Sequence, residues 1–363
     1  MGDADVIDAS LDGLRIAAIV PCRNEEAAVG RVVRDLKNAV PDVDVFVYDN
    51  CSTDRTREVA EAAGAEVRVE NWPGKGNVIR RALADIDADV YVMIDGDGTY
   101  DAEALPDMLQ ALVEGPLDHV TGVRVAHAPG VYRSGHELGN LVFNRIVSRI
   151  FGRPVTDMLS GYRVLSRRFV KSFPAVSRAF EIETELTVHA INNRVPQGEV
   201  PVRFCDRPEG SESKLRTYHD GLRIARMITR LLHHERPLAL YSTLAGLMVL
   251  TALGIAAPIV QEYLRTGLVG RFPTAFGAAS LVVVAFIVMV VGILLDGLRK
   301  VRQETTRIAY MTIPAVPRRP RGPALSAVTT FNALSKDNAP SNRIVRTANG
   351  SAVRPAGWTS ERV

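Results

Sequence analysis

Two aspartates, Asp95 and Asp97 in VYVMIDGDGTYD, follow directly on an apolar run and stand two residues apart. Carboxylates leaving a strand end at that spacing can reach one hard divalent cation. Mg²⁺ and Mn²⁺ take oxygen ligands, and Mg²⁺ commonly fills its remaining positions with water and substrate phosphate. Alone the pair reads equally well as a surface turn. It has company, however, in IVPCRNEE, VYDNCSTDRT and NWPGKGNVIRRAL, each a polar cluster at the end of an apolar stretch. In the third cluster Lys75 lies between Gly74 and Gly76 where a helix begins, which offers backbone amides and a cation to an anion. No Ser or Thr follows Lys75, and no apolar run leads into Gly-x-Gly-x-x-Gly, so P-loop and dinucleotide-binding readings are excluded.

These clusters need elements to hold them. From Arg15 to about Val123 short apolar runs alternate with helical stretches. The runs Ile16–Val20, Val43–Tyr48, Val67–Val69, Val90–Ile94 and His119–Val123 predict strands. Ala27–Asn38, Thr53–Ala63, Asn77–Ile86 and Ala102–Val113 carry apolar residues at i, i+3, i+4 spacing and predict helices. That order predicts an α/β fold with a mostly parallel, Rossmann-like sheet and helices on both faces. Ligands of such sheets sit beyond the carboxyl ends of the strands, where the polar clusters fall.

Much later come two uncharged runs, Leu238–Val260 of 23 residues and Phe272–Leu295 of 24. At 1.5 Å rise each spans about 35 Å, enough for a hydrocarbon core of ~30 Å. They predict a transmembrane hairpin within 237–298. Arg223, Arg226, Arg230 and Arg236 precede it and Arg299, Lys300 and Arg302 follow, whereas the connection Gln261–Arg271 holds only Arg265 and Arg271. The positive-inside bias therefore places the large domain and both termini on the cytoplasmic side. The start, MGDADVIDASLDGLR, is acidic and has no basic segment ahead of an apolar one, which agrees. Residues 217–236 read as an amphipathic helix lying in the membrane interface, with Arg216, Arg223, Arg226 and Arg230 within an arc of about 80°. Residues 1–14 and the Pro-rich basic stretch 314–363 lack apolar periodicity and read as disordered.

Lys and Arg number 44 against 41 Asp and Glu, a net +3, and no nucleic-acid partner is indicated. Cys22, Cys51 and Cys205 are too few and too scattered for a disulfide framework or a cysteine zinc site, and read as small buried residues. His136, His189, His233 and His234 have no metal-ligand spacing and read as structural or surface residues. Trp72 reads as a core residue, or as a stacking surface near a ligand.

Taken together, the motifs resemble the family 2 glycosyltransferases with the GT-A fold, whose catalytic domain would here cover 15–216. Pro21-Cys22-Arg23-Asn24-Glu25 is similar to the family's opening Pro-x-x-Asn-Glu. Asp49–Asp54 is similar to its nucleotide-base motif, Gly74-Lys75-Gly76 to its Gly-Lys-Gly element, and Asp95/Asp97 to its metal motif. The resemblance implies a nucleotide-diphospho-sugar donor, inverting transfer, and a Mg²⁺ or Mn²⁺ cofactor. It implies donor contacts from Pro21, Arg23, Asn24, Glu25, Asp49, Ser52, Lys75 and Asp95. The metal ligands would be Asp95 and Asp97, with Thr99 or Asp101 where relatives often carry Gln. DMLSGYRVLSRRF, FEIETE and EVPVRFCDRPEGSESKL further resemble the polyprenyl-phosphate sugar synthases. By that likeness Arg124, Arg133 and Arg207 act with Asp97 in catalysis, and those arginines with Ser213 and Lys214 bind the acceptor phosphate. The chain departs from the pattern at Asn50, usually Asp, and at Cys51, usually Gly. The run Glu181, Glu183, Glu185 alternates like a strand, although the resemblance makes it a helix with Glu183 at the family position.

Polyprenyl phosphate and membrane lipid are thus the expected partners, and a homo-oligomer is compatible with the chain. An acid at position 49 can accept from uracil or guanine, with UDP the preferred guess. A processive polymer synthase is disfavoured because no Gln-x-x-Arg-Trp occurs. A hydroxyl acceptor, with Asp157 or Glu183 as base, would not require the arginine set. A non-catalytic nucleotide-binding scaffold sits badly with intact Lys75, Asp95 and Asp97.

Overall fold

The computed structural model describes Leu11, residues 13–126, 156–175, 181–205, Thr229, residues 233–317, and the backbone of Thr329–Thr330. The predicted strands form as β1 (Ile16–Cys22), β2 (Asp44–Asp49), β3 (Glu66–Val69), β4 (Val90–Met93) and β5 (His119–Ala126). Three more follow, β6 (Arg163–Ser166), β7 (Gln197–Phe204) and the short β8 (Thr329–Thr330). The helices are α1 (Val29–Ala39), α2 (Thr56–Ala62), α3 (Lys75–Asp85), α4 (Leu105–Glu114), α5 (Arg167–Ser172) and α6 (Ile182–Asn192), then α7 (Pro237–Thr266) and α8 (Phe272–Met311). The sheet order is β3-β2-β1-β4-β6-β5-β7-β8. β1 pairs parallel with β2 and β4, β2 with β3, and β5 with β7, while β6 and β8 run antiparallel to their neighbours.

Two-sided burial explains the unbroken apolar strands. In β1 alternate residues face opposite layers. Ala18 and Val20 join α1 and α4 in one core, and Ala17 and Ile19 join α3, α5 and α6 in another. β1 leads by helical connections outward to β2 and β3, while β4 lies on its other side. The gap between the ends of β1 and β4 is therefore the switch point of the sheet, where a ligand crevice opens.

The strand-like alternation of Glu181, Glu183 and Glu185 misled: the segment is the start of α6, as the family likeness implied. Helix forms because Ile182, Leu186 and Ala190 recur on one face and enter the second core.

α7 and α8 are both long and apolar enough to cross a membrane. They run past the predicted bounds, which shortens the connection to Gly267–Arg271, with Gly267 in the left-handed region that ends α7. Their seam is built mostly from small residues at heptad spacing, Ala245 and Ala252 on α7, with the larger Ile259 one heptad further, and Ala278, Ala285 and Gly292 on α8. A methyl group on Gly292 would stand 2.7 Å from Tyr241 Cβ, so the helices touch closely there. Leu250, Leu253, Phe286 and Leu294 face outward and are exposed.

α8 does not stop at the end of its apolar run. It continues through polar residues onto the α/β domain, where Thr306 Oγ1 donates to Asn193 Oδ1 at 3.1 Å and Arg307 Nη1 to the Asn193 carbonyl at 2.8 Å. Tyr310 Oη donates to Asp118 Oδ2 at 2.6 Å beneath the Arg168 guanidinium. Part of the stretch expected to be disordered also has defined partners, since Val316 packs on the first core and Thr329–Thr330 pair with Gly198 and Glu199. The predicted interface helix 217–236 lies almost wholly outside the described residues.

Candidate active site

The first two junctions are stitched together by side chains. Asn24, with φ 54°, accepts from the Thr53 amide at 2.8 Å while its own amide donates to Ser52 Oγ at 2.9 Å. The Glu25 amide donates to Thr56 Oγ1, and Glu26 and Asp54 exchange bonds with the backbone of the opposite loop. Asn24 and Ser52 therefore shape the crevice floor by holding one another. Pro21, next to last in β1, is half-buried, Glu25 is buried, and Arg23 stands exposed at the rim.

Asp49 is wholly buried at the end of β2. Its Oδ2 accepts from Arg57 Nε at 2.7 Å and Nη2 at 2.6 Å, so its charge is matched by an arginine on α2 that sequence reasoning passed over. The departure at Asn50 has a physical reason. Its Nδ2 donates to the carbonyls of Glu70 at 2.9 Å and Trp72 at 2.8 Å, and its Oδ1 accepts from the Gly74 amide at 2.7 Å. An aspartate could make only the last of these. Cys51 takes φ 62°, the left-handed conformation for which relatives use glycine. Trp72 is not a core residue: it is 71% exposed, because Asn50 and Glu70 fasten its backbone outside the sheet. Cys22 is buried as expected, but Cys51 and Cys205 are only half-buried.

At the switch point β1 and β4 approach so closely that a side chain on Gly96 would overlap Cys22 Sγ and stand 3.3 Å from Val20 Cγ1. Burial, then the carboxylates of Glu25, Asp49, Asp95 and Asp97, push the Cys22 thiol well up. The thiol therefore remains protonated beneath the aspartates. Asp97 is buried, and its Oδ1 accepts from the amide and hydroxyl of Thr99 at 3.1 and 2.6 Å. Thr99 thus orients Asp97. Asp101 is occupied elsewhere, accepting from the Glu103 amide at 2.9 Å to cap the turn Ala102–Ala104.

Lys75, the first residue of α3, follows Gly74 at φ 129°, and its side chain, only 9% exposed, lies between two acids. Its Nζ contacts Asp95 Oδ1, and Glu183 Oε1 at 2.5 Å. Burial lowers its pKa, but the two carboxylates outweigh that and leave it raised, so it is a fixed cation. Glu183 is raised by burial against the opposing pull of Lys75, and its Oε2 is buried without a hydrogen-bond partner among the described residues. On the far side Gly161 closes against Asp95: a methyl group there would stand 2.8 Å from Asp95 Cγ. Tyr100, also missed in the sequence, accepts from the Gly161 amide at 2.8 Å, and burial lifts its hydroxyl to about 12.

Arg124, on β5, grips Asp157 in a fork, with Nε to Oδ2 and Nη2 to Oδ1 both at 2.7 Å. Asp157, one of the two acids considered as a base, is therefore held in an ion pair, as is Glu183. Arg163 lies wholly buried on β6 and donates to the carbonyls of Ser160 at 3.0 Å and Met158 at 2.7 Å, fastening the loop that carries Asp157 and Gly161. Its Nη1 also meets His119 Nε2 at 2.9 Å; arginine only donates, so His119 carries its proton on Nδ1. Arg133, Arg207, Ser213, Lys214 and His136 lie outside the described residues.

Asp95 and Asp97 form a two-carboxylate set, and no cluster of three or more His, Cys, Asp or Glu suited to a metal exists among the described residues. That donor set fits Mg²⁺ or Mn²⁺ sharing its shell with phosphate and water, and does not fit zinc.

A mostly parallel sheet with a lysine and two aspartates at its switch point is an architecture of the GT-A glycosyltransferase type. Residues 17–173 match the family described as "Glycosyl transferase family 2". The glycosyltransferase AglJ of Haloferax volcanii is 35% identical over 250 residues, 68% of this chain and 82% of that protein. The chain therefore belongs to glycosyltransferase family 2. A dolichyl-phosphate hexose transferase of the same organism is 28% identical over 221 residues, 61% of this chain and 95% of the relative. Among solved structures, glucosyl-3-phosphoglycerate synthase of Mycobacterium tuberculosis overlays with a TM-score of 0.51 at 24% identity, covering 64% of this chain and 84% of that one. The same enzyme has been crystallised with Mn²⁺ and UDP-glucose.

Proposed function

We propose that the protein transfers a single sugar, with inversion, from a nucleotide-diphospho-sugar to a polyprenyl phosphate at the cytoplasmic membrane face. The observation that carries this reading is the joining, in one chain, of the Lys75–Asp95–Asp97 centre to an apolar hairpin whose second helix continues onto the catalytic domain. The likeness to a dolichyl-phosphate hexose transferase supports the acceptor class, and the Mn²⁺–UDP-glucose complex of a structural neighbour supports a UDP-sugar donor.

Asp95 and Asp97 would hold Mg²⁺ or Mn²⁺, which when bound offsets the charge of the leaving nucleoside diphosphate. Lys75 adds a permanent positive charge beside Asp95. An oxygen of the acceptor phosphate attacks the anomeric carbon from the face opposite the departing diphosphate, forming the new C–O bond as the old one breaks. With a second pKa near ~6 the acceptor is mostly a dianion at pH 7, so no general base is required. Asp157 and Glu183, both held by cations, suit that scheme better than one that needs a free carboxylate. Arg124, with Arg133, Arg207, Ser213 and Lys214, would bring the two anions together.

The test is a transfer assay on the full-length protein with Mn²⁺ or Mg²⁺, UDP- and GDP-sugars, and polyprenyl phosphate beside free polyprenol. A polyprenyl phosphate that gains one hexose or N-acetylhexosamine is the expected product. Donor turnover with product only on a hydroxyl acceptor would overturn the reading.

A further inference from the structure

α6 has a partner of functional consequence at each end. At its start Glu183 holds Lys75, and at its close Asn193 receives Thr306 and Arg307 from the polar continuation of α8. Those ends are about 15 Å apart at 1.5 Å per residue. Asn192 meanwhile donates to Glu235, just ahead of α7, at 2.6 Å. A second joint lies at the start of β5, where buried Asp118 accepts from Tyr310, from Ser166 Oγ at 2.6 Å, and from Arg168 Nε at 2.6 Å. Arg168 in turn covers the Tyr310 ring at 4.8 Å. α8 is one uninterrupted helix from Phe272 to Met311, so these bonds connect the apolar span to the catalytic domain without a flexible link.

We propose that Thr306, Arg307 and Tyr310 are positioning residues. Thr306 and Arg307 through α6, and Tyr310 through the start of β5, lock the membrane hairpin in fixed register with the donor site, so that a phosphate at the bilayer surface meets the bound donor. This rests on the membrane-acceptor reading above. A mere packing contact would affect every acceptor alike. A register device matters only for an acceptor whose height is set by the bilayer.

Two variants of the full chain, reconstituted in liposomes, separate these cases. One is Arg307→Met with Tyr310→Phe. The other inserts two alanines after Lys300, which turns the rest of α8 by about 200° and carries its docking face away. Transfer to a long-chain polyprenyl phosphate in the bilayer should fall at least tenfold. Transfer to a short-chain, water-dispersible prenyl phosphate should stay within threefold, and Mn²⁺–UDP affinity should not change. Equal loss on both acceptors, or loss on neither, overturns the proposal. Hydrogen exchange judges the joint without any acceptor: amides of 304–311 should be protected in the parent protein and exposed in both variants. Rapid exchange in the parent protein would also overturn it. Should the parent protein transfer sugar to neither prenyl phosphate, the acceptor reading fails by itself, and with it the proposed purpose of the joint.

Discussion

Asn50→Asp restores the residue that relatives usually carry, and by likeness alone it should be harmless. The structure predicts the reverse. Asn50 Nδ2 serves two carbonyls, those of Glu70 and Trp72, while Oδ1 accepts from Gly74. The substitution removes both donors and turns an anionic oxygen toward two carbonyl oxygens. Two lost bonds at roughly 1 kcal/mol each, plus the cost of leaving the Glu70 carbonyl with only the weak Cys51 thiol at 3.8 Å, give a destabilisation of about 2–4 kcal/mol. At 2–4 °C per kcal/mol for a domain of this size, the melting temperature should drop by roughly 5–15 °C. The turn before Lys75 loosens with it, so Mn²⁺–UDP affinity should weaken by about tenfold, equivalent to ~1.4 kcal/mol. The introduced carboxyl is harder to ionise folded than unfolded, so the deficit should narrow as pH falls toward about 4. Differential scanning fluorimetry in detergent and calorimetric titration with UDP and Mn²⁺ would measure both effects. A variant that melts with the parent protein and binds UDP equally would refute the reasoning.

Gly161→Ala forces the Asp95 carboxylate to move while Lys75 still holds it. Transfer should drop about 100-fold, the cost of roughly 1 Å of misplacement, with a melting temperature only a few degrees lower. Asp97→Asn should abolish metal-dependent transfer while leaving the melting temperature close to the parent value; retained turnover with Mn²⁺ would remove the metal assignment. His189 is held neutral by burial, its pKa lowered to about 4. An unfolded histidine titrates near 6.5, so between those values the unfolded chain binds more protons, and stability should fall as pH is lowered through that window, by up to about 3 kcal/mol. His189→Gln should flatten the melting profile between about pH 6.5 and 4, and an unchanged slope would show that other groups set it.

Much of the frame could be read in advance because β1, β2 and β4 are apolar on both faces and their ends are punctuated by charge. Lys75, Asp95 and Asp97 were legible for the same reason: each stands where a strand or helix terminus must present it. The partners were harder to find. Arg57 on Asp49 and Glu183 on Lys75 join residues far apart in the chain, and no periodicity encodes such pairs. Glu181, Glu183 and Glu185 alternate as a strand would, and it is the family likeness and the apolar face of Ile182, Leu186 and Ala190 that identify the helix. Trp72 was misjudged because its size suggests a core, whereas hydrogen bonds to its backbone decide its place. The polar end of α8 carries no apolar run, and its attachment depends on single hydrogen bonds to Asn193 and Asp118.

That attachment also sets an order of manufacture. Tyr310 packs against the second core, Val316 against the first, and Thr329–Thr330 complete the edge of the sheet, yet all four are synthesised after the apolar runs of the hairpin. A nascent domain therefore leaves the ribosome with Asp118 and Arg168 uncovered and β7 unpaired on one side. It can close only once both apolar helices have been made, so the catalytic domain and the apolar hairpin become parts of one act of assembly.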